Sequence, residues 1–191
     1  MKVAIIGSGI VGLTIAYTLS NANVDITIFE KEKDSLSHGT GRNSGVIHSG
    51  IYYEPKTLRS ILCVRGSKLM KKFISENNLY INKCGKLLLP KTTKDIETLN
   101  LLYERSKEVG VETIKLNSLD EILKIEPNCN PLFDEALFVK DTAIADPKEV
   151  SNRLIEILKK KEVNIQYDTK VDSISADNTT ITSNNNINYF D

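Results

Sequence analysis

The stretch KVAIIGSGIVGLTIAYTL (residues 2–19), answered by VDITIFEK (24–31), decides how this chain folds. An apolar run, Val3 to Ile6, ends in glycines at positions 7, 9 and 12, and a second apolar run ends on Glu30. Val3 to Ile6 reads as a short buried strand. Gly7 makes the tight turn that follows it, and Gly9 has no side chain to hold a pyrophosphate away from the backbone. Gly12 lets the next helix pack close to the sheet, with Ala16 one turn further on keeping that contact small. The N-terminus of such a helix presents unpaired N–H groups and a positive dipole end to phosphate. Glu30, eighteen residues after Gly12, is placed to accept hydrogen bonds from a ribose diol and to repel a 2′-phosphate.

A plain βαβ unit would use the same glycines only for turning and packing. The strand before, the helix after and the acid at the right distance favour a dinucleotide site. A secretory signal fits poorly. The stretch holds Ser8, three glycines and Thr14, lacks a small-x-small cleavage site and runs straight into a strand. It is also shorter than the about 20 apolar residues of a membrane span.

Bulk composition narrows the class. With 191 residues, 40% hydrophobic and 26% charged, the chain can bury a core in one large domain or in one domain and part of another. The 25 basic and 25 acidic residues cancel, which gives no electrostatic reason to expect nucleic acid or an anionic membrane as partner. Three cysteines (Cys63, Cys84, Cys129) share no metal-ligand spacing and suggest free thiols in a reducing, cytoplasmic setting. With two histidines in all, no metal site is expected.

Along the chain, residues 2–6 and 25–29 read as parallel strands around a helix at 10–20. Helical spacing predicts further helices at 58–77, 92–109 and 118–125, the last with Ser118 as N-cap and Glu121 at the capping-box position. Short strands are expected at 86–89 and 135–139. Asp146-Pro147 opens a helix to about residue 161, and strands follow in VNIQYDT, KVDSIS and TTITS, with turns at Asp168-Thr169 and Asp177-Asn178. The tail SNNNINYFD shows no helix and no closing apolar strand. The fold class is therefore α/β: a Rossmann-like βαβ domain interrupted by a smaller, incomplete α+β insert. The expected segments are 1–79, 80–144 for the insert, and 145–191.

Residues 39–53, GTGRNSGVIHSGIYY, form a glycine-loosened loop rich in donors. Arg42, Asn43, Ser44 and His48 can meet a ligand, and the piece from Asn43 to Ile47 can start a short helix aimed at an anion. His48 is the side chain here able to exchange a proton near neutral pH. The plainer alternative is that these groups merely satisfy their own loop.

The fingerprint with Glu30, the run TGRNSGVIHSGIYY, the segment CGKLLLP (84–90) and the helix opening DPKEV (146–150) together resemble the D-amino-acid-oxidase-like FAD-dependent oxidoreductases. Within them, the likeness is greatest to the enzymes that oxidise L-2-hydroxyglutarate. The resemblance implies FAD as cofactor, its pyrophosphate held by Gly7, Gly9 and Gly12 and its adenosine ribose by Glu30. It implies that Thr40, Gly41, Arg42, Asn43 and Ser44 approach the pyrophosphate and flavin side. The backbone at Val171 would touch the adenine. His48 would lie near the flavin, as base or as positioning group. Arg42 stands where the loop of the hydroxyglutarate enzymes carries histidine, and an arginine there suits an anionic substrate or the cofactor's phosphates.

Members of this family are longer, so the chain resembles their N-terminal portion. Three functions follow as expectations. The first is oxidation of a small anionic 2-hydroxy acid by hydride transfer to flavin. The second is the same flavin chemistry on an amine, an amino acid or glycerol phosphate. The third is a non-catalytic nucleotide-binding fragment that needs a partner chain to complete its fold. No membrane span is expected, although an electron acceptor in a membrane chain would place the protein at a membrane periphery.

Overall fold

The computed structural model describes residues 1–177 and 179–191. The chain divides into two compact units, residues 1–44 with 146–191, and residues 45–145.

The first unit opens with β1 (Lys2–Ile6), α1 (Ile10–Leu19) and β2 (Asp25–Phe29). β1 and β2 pair in parallel, Val3 opposite Ile26 and Ile5 opposite Ile28. Strand, helix and strand form as the apolar pattern predicts, because Ile5, Leu13, Ala16, Ile26, Ile28 and Phe29 are all buried together.

The second unit contains β3 (Val46–Ile47), α2 (Leu58–Glu76), β4 (Ile81–Asn82), β5 (Lys86–Leu88), α3 (Thr93–Val109), β6 (Thr113–Leu116), α4 (Leu119–Ile125), β7 (Ala136–Val139) and β8 (Ala143–Ala145). Its strands form two antiparallel sheets, β3-β8-β4 and β5-β7-β6. Ile51, Leu102, Val111, Leu137 and Val139 make the main core, and Leu116, Ile122 and Ala136 a smaller one under α4.

The chain then returns to the first unit as α5 (Pro147–Lys160), β9 (Asn164–Gln166), β10 (Val171–Ile174), β11 (Thr180–Ser183) and β12 (Asn186–Tyr189). Asp146 caps α5 by accepting from Lys148 N–H at 2.8 Å, with proline at the first helical position. α5 packs on α1 through a stripe of Val150, Leu154 and Leu158. β9 joins β2 in parallel, Ile165 opposite Ile28, so the sheet order is β1-β2-β9. β10, β11 and β12 form a separate antiparallel sheet.

Three local differences from the sequence expectations have plain causes. Val46–Ile47 is strand rather than the start of a helix: two β-branched residues pair with Ile144 and Ala143. The polar tail contains β12, closed onto β11 by Asn184 and Asn185. Both take positive φ (47° and 63°), the two-residue hairpin geometry that asparagine tolerates. Residues 45–79, grouped by sequence with the first segment, pack within the second unit, because β3 pairs with β8 and Ile51 enters the core around Leu137. Of the turn expected at Asp177-Asn178, Asn178 lies outside the described residues.

Candidate functional site

At the end of β1 the chain turns at Gly7, whose φ of +93° is open to glycine and strained for other residues. The Gly7 N–H donates to Phe29 O at 2.8 Å, so the turn is tied to the end of β2. Gly12 is the tightest point. A Cβ placed there would lie 1.9 Å from Gly7 O and 3.3 Å from Ile5 Cγ2. Helix α1 begins at the N-cap Gly9, which offers no side-chain cap. The Ile10 N–H donates to Thr40 Oγ1 at 3.0 Å, and among the described residues those of Val11 and Gly12 meet no protein acceptor. A Cβ on Gly9 would come within 3.1 Å of Thr40 Oγ1. These groups border an open cleft of about 530 Å³, lined by Gly7, Gly9, Ile10, Gly12, Thr40 and the side chains of β1.

Glu30 is 7% exposed at the end of β2. Its Oε2 accepts from the Ser8 N–H at 2.8 Å and the Ser8 hydroxyl at 2.9 Å, and its Oε1 accepts from the Glu32 N–H at 3.0 Å. The backbone of 168–169 runs beside it: Thr169 N–H donates to Glu30 O at 2.8 Å and Asp168 N–H to Glu32 O at 3.1 Å. Val171, at the start of β10, follows two residues later.

The loop from 31 to 44 is folded on itself. Asp34 Oδ1 accepts from Leu36 N–H at 2.7 Å and from the Ser37 hydroxyl at 3.0 Å. These bonds, the Leu36 N–H first, hold the Asp34 carboxyl below its ordinary value. A Cβ on Gly41 would sit 2.0 Å from Leu36 O, so this glycine is required by the loop's own packing. Asn43 Nδ2 donates to Gly39 O and Thr40 O, both at 2.9 Å, stapling the loop that presents Thr40. Arg42 and Ser44 are exposed, and among the described residues neither side chain makes a polar contact.

His48 belongs to the second unit, exposed just after β3. Cys63 of α2 lies behind it, its Sγ 3.8 Å from His48 O, and burial pushes the Cys63 thiol up from its ordinary value.

The structure thus brings Gly7, Gly9, Gly12, Glu30 and Thr40 together within the first unit, with the backbone leading to Val171 beside Glu30. Spacing alone does not reveal Ser8, whose hydroxyl meets Glu30, nor Ser35 and Tyr167, which line up behind Ser8. A glycine-lined helix start, with two N–H groups facing no protein acceptor and a buried carboxylate nearby, fits a dinucleotide such as FAD.

A family profile described as FAD dependent oxidoreductase matches residues 2–189. The chain is 44% identical over 152 residues to the mitochondrial L-2-hydroxyglutarate dehydrogenase of Dictyostelium discoideum, covering 78% of this chain and 34% of that protein. It is 34% identical over 173 residues to the L-2-hydroxyglutarate dehydrogenase of Escherichia coli K12, covering 90% of this chain and 40% of that one. It therefore spans little more than a third of the length of these curated relatives. Among solved structures, the L-α-glycerophosphate oxidase of Mycoplasma pneumoniae, with FAD bound, superposes with a TM-score of 0.86. It is 27% identical, and the match covers 97% of this chain and 50% of that one. With the profile matched along almost the whole length, the chain belongs to the DAO family of FAD-dependent oxidoreductases.

Proposed function

We propose that this chain forms the nucleotide-binding part of an FAD-dependent dehydrogenase that oxidises L-2-hydroxyglutarate to 2-oxoglutarate. The observation that carries the reading is its 34% to 44% identity to enzymes of that name. In this reading the first unit is the FAD-binding domain and the second contributes part of the substrate domain.

The start of α1 receives the pyrophosphate, with the Val11 and Gly12 N–H groups as donors and the helix dipole favouring the negative charge. Glu30 accepts from the adenosine ribose, and the backbone at Val171 lies against the adenine. Thr40, Gly41 and Asn43 hold the loop against the helix start. Arg42, exposed and without a side-chain partner among the described residues, supplies a cation for the pyrophosphate or for a substrate carboxylate. FAD, when bound, supplies the acceptor for the hydride that leaves the hydroxyl-bearing carbon. His48 accepts the hydroxyl proton at an imidazole nitrogen, or else holds the flavin in place. His48→Gln separates the two roles, because loss of a base flattens the acid limb of the pH–kcat profile and loss of a positioning group does not.

The test is the visible absorption of the purified chain, recorded anaerobically before and after adding L-2-hydroxyglutarate. Flavin absorbance that bleaches with this substrate is the expected result. Bound flavin that only sn-glycerol 3-phosphate or an amino acid reduces would replace the substrate assignment. The likeness to the glycerophosphate oxidase makes that the second reading. Bound flavin that no substrate reduces would leave a nucleotide-binding part that works only with a partner chain or segment, and a chain that binds no flavin would overturn the reading of it as the nucleotide-binding part on its own. Among the described residues no helix is long and apolar enough to cross a membrane. The proposed location is the cytoplasm, with electrons passing to an acceptor at a membrane periphery.

A further inference from the structure

Behind Glu30 runs a file of three hydroxyl groups drawn from three parts of the first unit. Ser8 lies in the glycine turn, Ser35 in the following loop and Tyr167 just after β9. Ser8 is fully buried and Ser35 is 6% exposed. The Tyr167 hydroxyl lies 3.1 Å from Ser35 Oγ, Ser35 Oγ 2.7 Å from Ser8 Oγ, and Ser8 Oγ 2.9 Å from Glu30 Oε2. Backbone pairing sets the position of the tyrosine. Glu30 N–H donates to Gln166 O and Thr169 N–H donates to Glu30 O, both at 2.8 Å, so residue 167 is clamped between them.

We propose that Ser8, Ser35 and Tyr167 form a hydrogen-bond relay that aims the Glu30 carboxylate, with Tyr167 as its outer positioning residue. An ionised carboxylate only accepts, and each hydroxyl has a single proton. The Ser8 hydroxyl is aimed as donor at both Glu30 Oε2 and Ser35 Oγ, so the two acceptors share its one proton while the Ser8 N–H stays on Oε2. The bond between Tyr167 and Ser35, which either hydroxyl can donate, ties the outer end of the file.

The relay also limits how Glu30 meets its ligand. A carboxylate has about four acceptor sites, two on each oxygen. Ser8 occupies both on Oε2, and the Glu32 N–H takes one on Oε1. One site on Oε1 remains. Glu30 therefore grips a ribose through a single oxygen while the relay holds the other, rather than chelating both hydroxyls with the two oxygens. The inference rests on the reading of Glu30 as the ribose acceptor.

ADP and 2′,3′-dideoxy-ADP, titrated calorimetrically into the purified chain, separate that reading from the relay. The wild-type chain should prefer ADP. Tyr167→Phe and Ser35→Ala should each cut that preference about three- to tenfold, the range expected for one lost hydrogen bond between neutral groups. Affinity for the dideoxy compound should stay unchanged, and Ser35→Thr, which keeps a hydroxyl, should restore the preference. A wild-type chain that does not distinguish the two ligands overturns the ribose role of Glu30. A wild-type preference that survives both substitutions, or both ligands weakening equally, overturns the relay. An effect from Ser35→Ala without one from Tyr167→Phe removes Tyr167 from it. Tyr167→Phe deletes one oxygen from a half-buried ring and keeps the assay usable if the Ser35→Ala chain unfolds.

Discussion

A methyl group on Gly12 has nowhere to go, since its carbon would fall 1.9 Å from a backbone oxygen that is part of the Gly7 turn. Relief requires moving α1 away from β1, so Gly12→Ala should destabilise the first unit by about 1–3 kcal/mol, as overpacking does elsewhere. Gly9→Ala is a different case. Its methyl meets only the Thr40 side chain, at 3.1 Å, which can shift, but it stands at the helix start proposed to receive the pyrophosphate. Urea unfolding should register the Gly12 change most strongly and FAD titration the Gly9 change. Equal FAD affinity for Gly9→Ala and wild type would count against a pyrophosphate at this helix start. The glycines and Glu30 are legible in sequence because a turn, a close approach and a strand-end charge each demand one residue type at one spacing. Ser8, Ser35 and Tyr167 carry no such signal. They meet only because residues 30 and 166–169 pair backbone to backbone, a long-range fact that no local pattern announces.

Among the elements, α3 has the most fully built start. Thr92 Oγ1 accepts from Asp95 N–H, and Asp95 Oδ2 accepts from the Lys91 and Thr92 N–H groups and from the Thr92 hydroxyl. These bonds, the Lys91 N–H first, hold the Asp95 carboxyl below the ordinary aspartate value of 3.8. A lowered folded value means the cap stabilises fully above 3.8 and is lost as pH falls through the folded value. The amide shifts of residues 91–95 should therefore change below that pH in the wild type and hold constant in Asp95→Asn. Thr92→Ala should cost about 1 kcal/mol at neutral pH. Helices such as this one were readable because caps and apolar spacing act locally. The short strands were less so. β8 is only Ala143–Ala145, and β12 has Ile187 as its one aliphatic residue. Both are strands because a partner is present, β3 and β4 for one and β11 for the other.

Over the whole chain, the first unit is assembled from two segments separated by about a hundred residues, and its parallel sheet has the order β1-β2-β9. In doubly wound sheets the first strand is internal, with neighbours on both sides. Here β2 covers one edge of β1. On the other edge Asp191 N–H donates to Lys2 O at 3.1 Å, and no ladder partner follows among the described residues. The same side exposes three apolar side chains, Ile6 (52%), Val11 (69%) and Ile15 (45%). Unpaired N–H and C=O groups beside apolar side chains make a template for another strand. We expect the isolated chain to self-associate or to seek the segment that completes its sheet. Light scattering behind size exclusion should show a mass that rises with protein concentration. Ile6→Lys with Val11→Lys should suppress the rise, because each charge would have to be buried in the new contact. A wild-type chain that stays monomeric at every concentration would leave the β1 edge without a role, and association undiminished by the two lysines would locate the adhesive surface elsewhere.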